Sequence, residues 1–259
     1  MTGPPARSLP ATAPASVGAV AQVFVPDPTA PVVGDDDAHH LLGVLRLRPG
    51  DVVVAADGHG GWCPCRVAPG ARRGSPDLLE VDGPLVVVPR PDPPITVAFA
   101  PVKGDRPEWV VQKLTELGVD VIVPLRTARS VVRWAGDRQD RTVERLRRVA
   151  REAACQSRRA RLPEVGDVTT LADLVGSVRR AGGGRSTGVA LAHPGGGAPT
   201  LDHPVIAVGP EGGWDPAELD QAAAMVGLGD TVLRAETAAL SAGALLCALR
   251  AGTVGPPGG

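Results

Sequence analysis

Residues 95–125 restrict the fold more than any other stretch of this chain. ITVAFAPV (95–102) reads as a buried strand. GDRPEWVVQKLTELG (104–118) then places Trp109, Val110, Lys113, Leu114 and Leu117 at helical spacing. Asp105 is the expected N-cap, with Glu108 three residues on to close a capping box, and Gly118 suits the stop. VDVIVPL (119–125) is a second strand. Strand, helix and strand within about 30 residues make a βαβ unit, whose two strands run parallel. The alternation continues. A helix is predicted over 137–159, with Val143, Leu146, Ala150 and Ala153 on one face, and another over TLADLVGSVRR. GVALAHP, PVIAVGP and DTVLRAE read as three more strands, with helices from Asp215 and from about Ala238. Residues 95–251 are therefore expected to form an α/β domain with a mostly parallel sheet.

The chain before this region has another texture. Between 20 and 88, the short apolar runs VVVAAD, WCPCRV, LLEV and PLVVV are separated by Gly, Pro and Asp, the pattern of a small β-barrel-like domain. PRPDPP (89–94) is a stiff linker. Residues 1–19 read as a disordered extension, 252–259 as a disordered tail, and AGGGRST (181–187) as a flexible loop. No apolar run is long enough to span a bilayer, and the first 18 residues lack the apolar core of a signal peptide, so a cytoplasmic protein with no membrane partner is expected. Cys63 and Cys65 form a C-x-C, but Cys155 and Cys247 stand far apart, so zinc spacing is absent and no metal is expected.

Three predicted strand ends carry unusual chemistry: LAHPGGG (191–197), VGPEGGW (208–214) and VLRAETA (232–238). In open α/β sheets, ligands sit beyond the carboxyl ends of the strands. A structural strand–helix turn needs one glycine. Here Pro210 and Glu211 stand among Gly209, Gly212 and Gly213, before Asp215-Pro216-Ala217-Glu218 starts a helix as cap, first residue and third residue. The loop has neither the lysine of a phosphate cradle nor the G-x-G-x-x-G of a dinucleotide site. Main-chain groups with few charges suit a nucleoside-like ligand read by its edges.

The net charge of −1 announces no global attraction to nucleic acid, but the distribution does. Between Arg126 and Arg161 twelve arginines face only four acids, the footprint of a polyanion partner or else a solvated helix in an arginine-biased chain.

Five segments together resemble the ribosomal RNA small subunit methyltransferase E family of the knotted SPOUT class. They are HHLLGVLRLRPGD (39–51), KGDRPEWVVQKLTELGV (103–119), REAACQSRRARLPEV (151–165), GPEGGWDPAEL (209–219) and LGDTVLRAETAAL (228–240). Two positions depart from the family's pattern: Cys155 where an acid is usual, and Arg158 where glycine is usual. The resemblance implies an N-terminal PUA-like barrel that helps hold RNA, and a C-terminal domain whose last elements form a trefoil knot. It implies a homodimer, S-adenosylmethionine bound in the knot, and methyl transfer to N3 of a uridine in the 16S ribosomal RNA of the small subunit.

In this reading Leu191, His193, Gly209, Glu211, Gly212 and Gly213 line one side of the cofactor pocket, and Leu228, Leu233, Arg234, Thr237 and Ala238 the other. His193 either touches the cofactor or caps its loop. Arg234 is the candidate for stabilising the uridine anion, and Glu236 for accepting the N3 proton or orienting Arg234; the alternative for both is a structural ion pair. Arg46 and Arg48 in the barrel, with Arg129, Arg133, Arg158 and Arg161 beside the catalytic loop, are the candidate phosphate contacts. Lys103 and Lys113 are placed to cap or to pair locally, Glu116 lying three residues from Lys113. Competing readings are a knotted methyltransferase for a ribose 2′-OH of another RNA, a non-catalytic ribosome-assembly factor that keeps the basic surface, and a Rossmann methyltransferase. The last would carry its glycines early in the domain.

Overall fold

The computed structural model describes residues 13–75, 77–132, 134–181 and 188–255. The chain divides into two compact units, Met1–Arg90 with Ala154–Leu162, and Pro91–Ala153 with Pro163–Gly259.

The first unit is built on β1 (Ala21–Phe24), α1 (Asp35–His39), β2 (Val52–Ala56), β3 (Gly61–Val67), β4 (Leu79–Val81) and β5 (Val86–Val87). The strands form one five-stranded sheet in the order β1-β2-β3-β4, with β5 also paired to β3. Pairing is antiparallel except between β1 and β2. The sequence of β2, VVVAA, has no polar face, so both sides of the sheet must be covered. Val53 and Ala55 face a cluster with Val23, Leu41, Cys63 and Cys65. Val54 and Ala56 face the other way, with Phe24, Trp62, Ala154 and Ala160. The second cover thus comes from 154–162, a stretch expected to belong with residues 95–251.

Polar contacts hold that segment in place. Arg158 donates to the carbonyls of Cys155, Ala19 and Val20 at 2.8, 3.2 and 2.7 Å. Arg161 donates from Nη2 to the Val88 carbonyl at 2.7 Å and from Nε to Val88 and Pro89 at 3.1 and 3.3 Å. Gln22 Nε2 donates to the Arg159 carbonyl at 2.7 Å. Gly60, at φ 109°, makes room: a Cβ there would lie 2.5 Å from both Arg161 Nη2 and the Val88 oxygen. Residues 13–19, expected in the disordered extension, include a 3-10 turn over Pro14–Val17 with Pro14 buried. Val17 and Ala19 pack on the Phe24–Trp62 cluster, which is the reason for their order.

The second unit comprises β6 (Thr96–Phe99), α2 (Arg106–Leu117), β7 (Val121–Arg126), α3 (Gly136–Gln156), β8 (Glu164–Val165), β9 (Thr169–Thr170), α4 (Leu171–Ala181), β10 (Ala190–Gly197), β11 (Val205–Val208), α5 (Pro216–Leu219), β12 (Ala224–Val226) and α6 (Ala235–Arg250). The last turn of α3 crosses into the first unit. The seven-stranded sheet has the order β12-β10-β11-β6-β7-β8, with β9 also on β7, and its strand pairs are parallel. Val97, Phe99, Ile122 and Ile206 meet Val110, Val111 and Leu114 of α2, Leu146 of α3, and Ala239, Ala242 and Leu246 of α6. Ala98, Leu125, Leu191 and Ala207 face the other way, against Leu171, Leu174 and Val175 of α4 and against Trp214. The α/β fold with a mostly parallel sheet is as expected from the sequence.

Three local expectations are corrected. DTVLRAE is not a strand: the last strand is β12, at Ala224–Val226, and Val232 is 88% exposed in a loop. The helix expected from about Ala238 begins at Ala235. Asp105 is the N-cap of α2 but makes no side-chain cap bond, and Glu108 pairs with Arg145 of α3 instead of closing the box. The AGGGRST loop lies, from 182 to 187, outside the described residues, as do 1–12 and 256–259.

Candidate functional site

β10, β11 and β12 are neighbouring parallel strands, so their carboxyl ends open on one side of the sheet. β10 itself and the segments after β11 and β12 enclose a cavity of about 330 Å³. Ala192, His193 and Pro194 come from the middle of β10. Val208 ends β11, Gly209, Pro210, Glu211, Gly213 and Trp214 follow it, and Leu228, Leu233, Ala235 and Ala238 come from the last loop and the start of α6. The volume is that of a pocket for a drug-sized ligand.

The glycines have specific work. A Cβ on Gly209 would lie 2.9 Å from Cε2 of Trp214, so the indole can lie against that backbone only if the residue is glycine. Trp214 is buried, and its Nε1 donates to the Ala192 carbonyl at 3.0 Å, tying the second loop to the first. Gly196 and Gly227 let β10 and the end of β12 approach closely: a Cβ on Gly227 would meet the Gly196 oxygen at 2.7 Å, and Gly227 N–H donates to Gly197 O at 2.8 Å. Gly213 has φ 71°, in the left-handed region that favours glycine.

Behind the loop the expected capping box is formed. Ala217 N–H donates to Asp215 Oδ1 at 3.1 Å, and Asp215 N–H to Glu218 Oε2 at 3.0 Å. Buried Glu218 also accepts from Ala128 N–H at 2.9 Å through Oε1, joining the loop after β7 to the glycine loop. Arg129 reaches the same loop, donating to Gly212 O at 3.2 Å and lying 3.7 Å from Asp215 Oδ2.

Of the expected pocket residues, His193, Gly209, Glu211, Gly213, Leu228, Leu233 and Ala238 line the cavity. The remaining four stand elsewhere. Leu191 is fully buried in the core, Gly212 faces Arg129, and Arg234 and Thr237, each just before a lining residue (Ala235 and Ala238), are exposed. The His193 ring shares a 2.7 Å hydrogen bond with Pro194 O, within its own loop. Further lining residues lie outside the expected set, Trp214 and Val208 among them, although these two belong to the VGPEGGW run that the sequence singles out.

Arg234 is the N-cap residue of α6. Glu236, two residues on, does not orient it: Oε1 accepts from Arg106 Nη1 at 3.1 Å. Glu236 Oε2 is buried and has no hydrogen-bond partner among the described residues.

The expected phosphate contacts divide differently from the sequence reading. Arg46 and Arg48 are exposed on the first unit, Arg46 at φ 54°. Arg158 and Arg161 are committed to main-chain carbonyls of the first unit and are not free for phosphate; burial holds the Arg158 guanidinium below its usual range. Arg129 is partly spent on the glycine loop, and Arg133 lies outside the described residues. Lys113 pairs with Glu116 at 2.8 Å, as its spacing predicts. Among the described residues no helix is long and apolar enough to cross a membrane.

Comparison with known proteins accounts for this arrangement. Residues 89–247 match the family described as RNA methyltransferase domain, and residues 33–73 match the RNA methyltransferase PUA domain. The chain is 38% identical over 226 residues to ribosomal RNA small subunit methyltransferase E of Mycobacterium bovis, covering 80% of this chain and 82% of that one. It is 31% identical over 236 residues to the protein of that name from Bacillus subtilis, covering 83% and 88%. A probable rRNA-methyltransferase from Porphyromonas gingivalis superposes with a TM-score of 0.73 at 29% identity, covering 91% of this chain and 100% of that one. A ribosomal RNA small subunit methyltransferase E from Neisseria gonorrhoeae, solved bound to S-adenosyl methionine, gives 0.69 at 26% identity, covering 89% and 97%. With matches over both units, a parallel sheet and its glycine-walled cavity, the chain belongs to the ribosomal RNA small subunit methyltransferase E family.

Proposed function

We propose that the protein transfers a methyl group from S-adenosylmethionine to N3 of a uridine in 16S ribosomal RNA. The observation that carries this reading is the cavity walled by β10 and by the loops after β11 and β12. Its walls fit the cofactor. Leu228, Leu233 and Ala238 supply apolar surface for a flat base, and the Trp214 indole, seated against Gly209, forms part of another wall. Main-chain groups of the 209–213 and 228–233 segments would read the adenine edges. When bound, the cofactor supplies an electrophilic methyl group.

The chain's own residues supply the rest. Uridine N3 is a weak acid, and its proton must leave as the nitrogen becomes nucleophilic. Arg234, exposed between the lining residues Leu233 and Ala235, stabilises the anion that develops on the uracil ring. Glu236 accepts the proton through Oε2, with Arg106 on Oε1 fixing the carboxylate. Exposed Arg46 and Arg48 position the RNA backbone. The family resemblance supports a knotted path, and the exposure of Trp109 and Leu117 on α2 supports a homodimer. The family's substrate supports a cytoplasmic location.

The test is methyl incorporation from labelled cofactor into small subunits, and into naked 16S RNA, from a strain lacking the gene. Transfer to subunits in preference to naked RNA, with N3-methyluridine as the product, is expected. A ribose-methylated product, or no calorimetric binding of S-adenosylmethionine, would overturn the reading.

A further inference from the structure

A second cavity, of about 580 Å³, lies between the start of α2 and the first half of α3, within the second unit. It differs in character from the cofactor pocket. Its rim carries Lys103, Arg138, Arg141 and Arg145 against one carboxylate, Glu108, and Trp134 forms part of its wall. We propose that this cavity is a subsite for the phosphate backbone of the RNA substrate, held by Lys103, Arg138 and Arg141. The proposal rests on the functional reading above and adds to it a place where the RNA is gripped.

The arginines of α3 show why these are the gripping residues. Arg147 is taken by Glu144 and Asp167, and Arg145 by Glu108. Arg138, Arg141 and Lys103 are exposed and have no ion pair among the described residues. Arg138 and Arg141 stand one turn apart on α3, about 4.5 Å along its axis, so both face the same groove. The start of α2 adds to the field. Asp105 makes no side-chain cap bond and Glu108 is turned to Arg145, so the first-turn N–H groups keep their attraction for an anion. Trp134 is partly buried against the core, which fixes its indole as a rigid apolar wall for a base beside the phosphate. The grip is coupled to the chemistry by the Arg106–Glu236 pair, which joins the first turn of α2 to the turn of α6 that lines the cofactor cavity.

The test uses the full chain and a 16S ribosomal RNA transcript, with affinity measured over a salt series. Arg138→Gln/Arg141→Gln, and separately Lys103→Gln, are compared with Arg179→Gln/Arg180→Gln, which removes equal charge from exposed positions on α4. The Arg138/Arg141 double variant should lose about tenfold in RNA affinity, and its slope of log affinity against log salt should fall by about one for each phosphate no longer neutralised. Lys103→Gln should lose less, the α4 control nothing, and S-adenosylmethionine affinity and melting temperature should be unchanged in all. RNA affinity and slope equal to wild type, an equal loss in the α4 control, or displacement of the RNA by low concentrations of inorganic phosphate would each overturn the proposal. Failure of wild-type protein to bind S-adenosylmethionine, with the RNA effect intact, would remove the enzymatic reading and leave the subsite standing.

Discussion

Arg106, the first residue of α2, donates from Nη1 to Oε1 of Glu236 in the first turn of α6, at 3.1 Å. The Glu236 side chain is only 12% exposed and that of Arg106 43%, so the pair is half in water. Glu236→Gln should lower the single-turnover methylation rate at saturating cofactor by about a hundredfold, the scale of a lost proton acceptor. Arg106→Gln leaves the carboxylate in place, so it should cost less in rate and about 1–2 kcal/mol in stability. A Glu236→Gln rate within about threefold of wild type would leave the carboxylate with an anchoring role only.

Arg234 is exposed and has no ion pair among the described residues, so its removal should not unfold the protein. Arg234→Ala should lower the single-turnover rate by about a hundredfold with melting temperature unchanged, as for a lost anion-stabilising donor. Cofactor affinity, read by calorimetry, should stay near wild type because Arg234 does not line the cavity.

The contact between Gly209 and Trp214 predicts a variant that harms binding more than folding. Gly209→Ala forces the indole out of its seat, since the new carbon would sit 2.9 Å from the ring. Affinity for S-adenosylmethionine should fall by at least about tenfold, equivalent to about 1.4 kcal/mol. Trp214→Phe keeps the apolar bulk but loses the bond to Ala192 O, and should cost about 1 kcal/mol of stability.

Arg158 holds φ 57°, in the left-handed region that favours glycine, and its guanidinium reaches three carbonyls. Arg158→Gly relieves about 1–2 kcal/mol of backbone strain but removes charge-assisted bonds worth about 1.5–3 kcal/mol each. The first unit should therefore lose stability in urea titrations, and RNA affinity should keep its salt slope. A stabilised variant would show that the backbone strain outweighs the three bonds.

Cys65 is fully buried on β3, and burial, with Cys63 beside it, pushes its thiol up to about 11 from an ordinary 9.0. An unfolded chain releases that proton near pH 9 and the folded chain holds it to about pH 11. The folded pKa is the higher one, so the contribution is complete below pH 9 and drains away as pH rises to about 11. At about 1.4 kcal/mol per pH unit the loss is roughly 2–3 kcal/mol. Urea midpoints across this window should fall more steeply for wild type than for Cys65→Ala. Parallel curves would assign the alkaline loss to other groups.

What was legible in the sequence was local. The strand at Val205–Val208, the glycines after it and the Asp215–Glu218 capping box follow from patterns within fifteen residues, and the cavity is built where they indicated. What was not legible depended on distant partners. Glu108 satisfies the capping-box spacing but meets Arg145 across a helix interface. Arg158 and Arg161 look like phosphate ligands, yet carbonyls more than 70 residues earlier claim them. Thr231, Val232 and Leu233 favour a strand by type, but β10 takes Ala224–Val226 as its neighbour and leaves them in the loop.

The second cover of the first unit's sheet is encoded after α3, so synthesis delivers it late. Phe24, Val54 and Trp62 leave the ribosome long before Ala154 and Ala160 exist to shield them. A nascent chain halted near Arg90 presents a half-clad sheet with its tryptophan open to water, a surface for chaperones to hold until Leu162 emerges. A clone cut at that point inherits the same defect, whatever the strength of its strands.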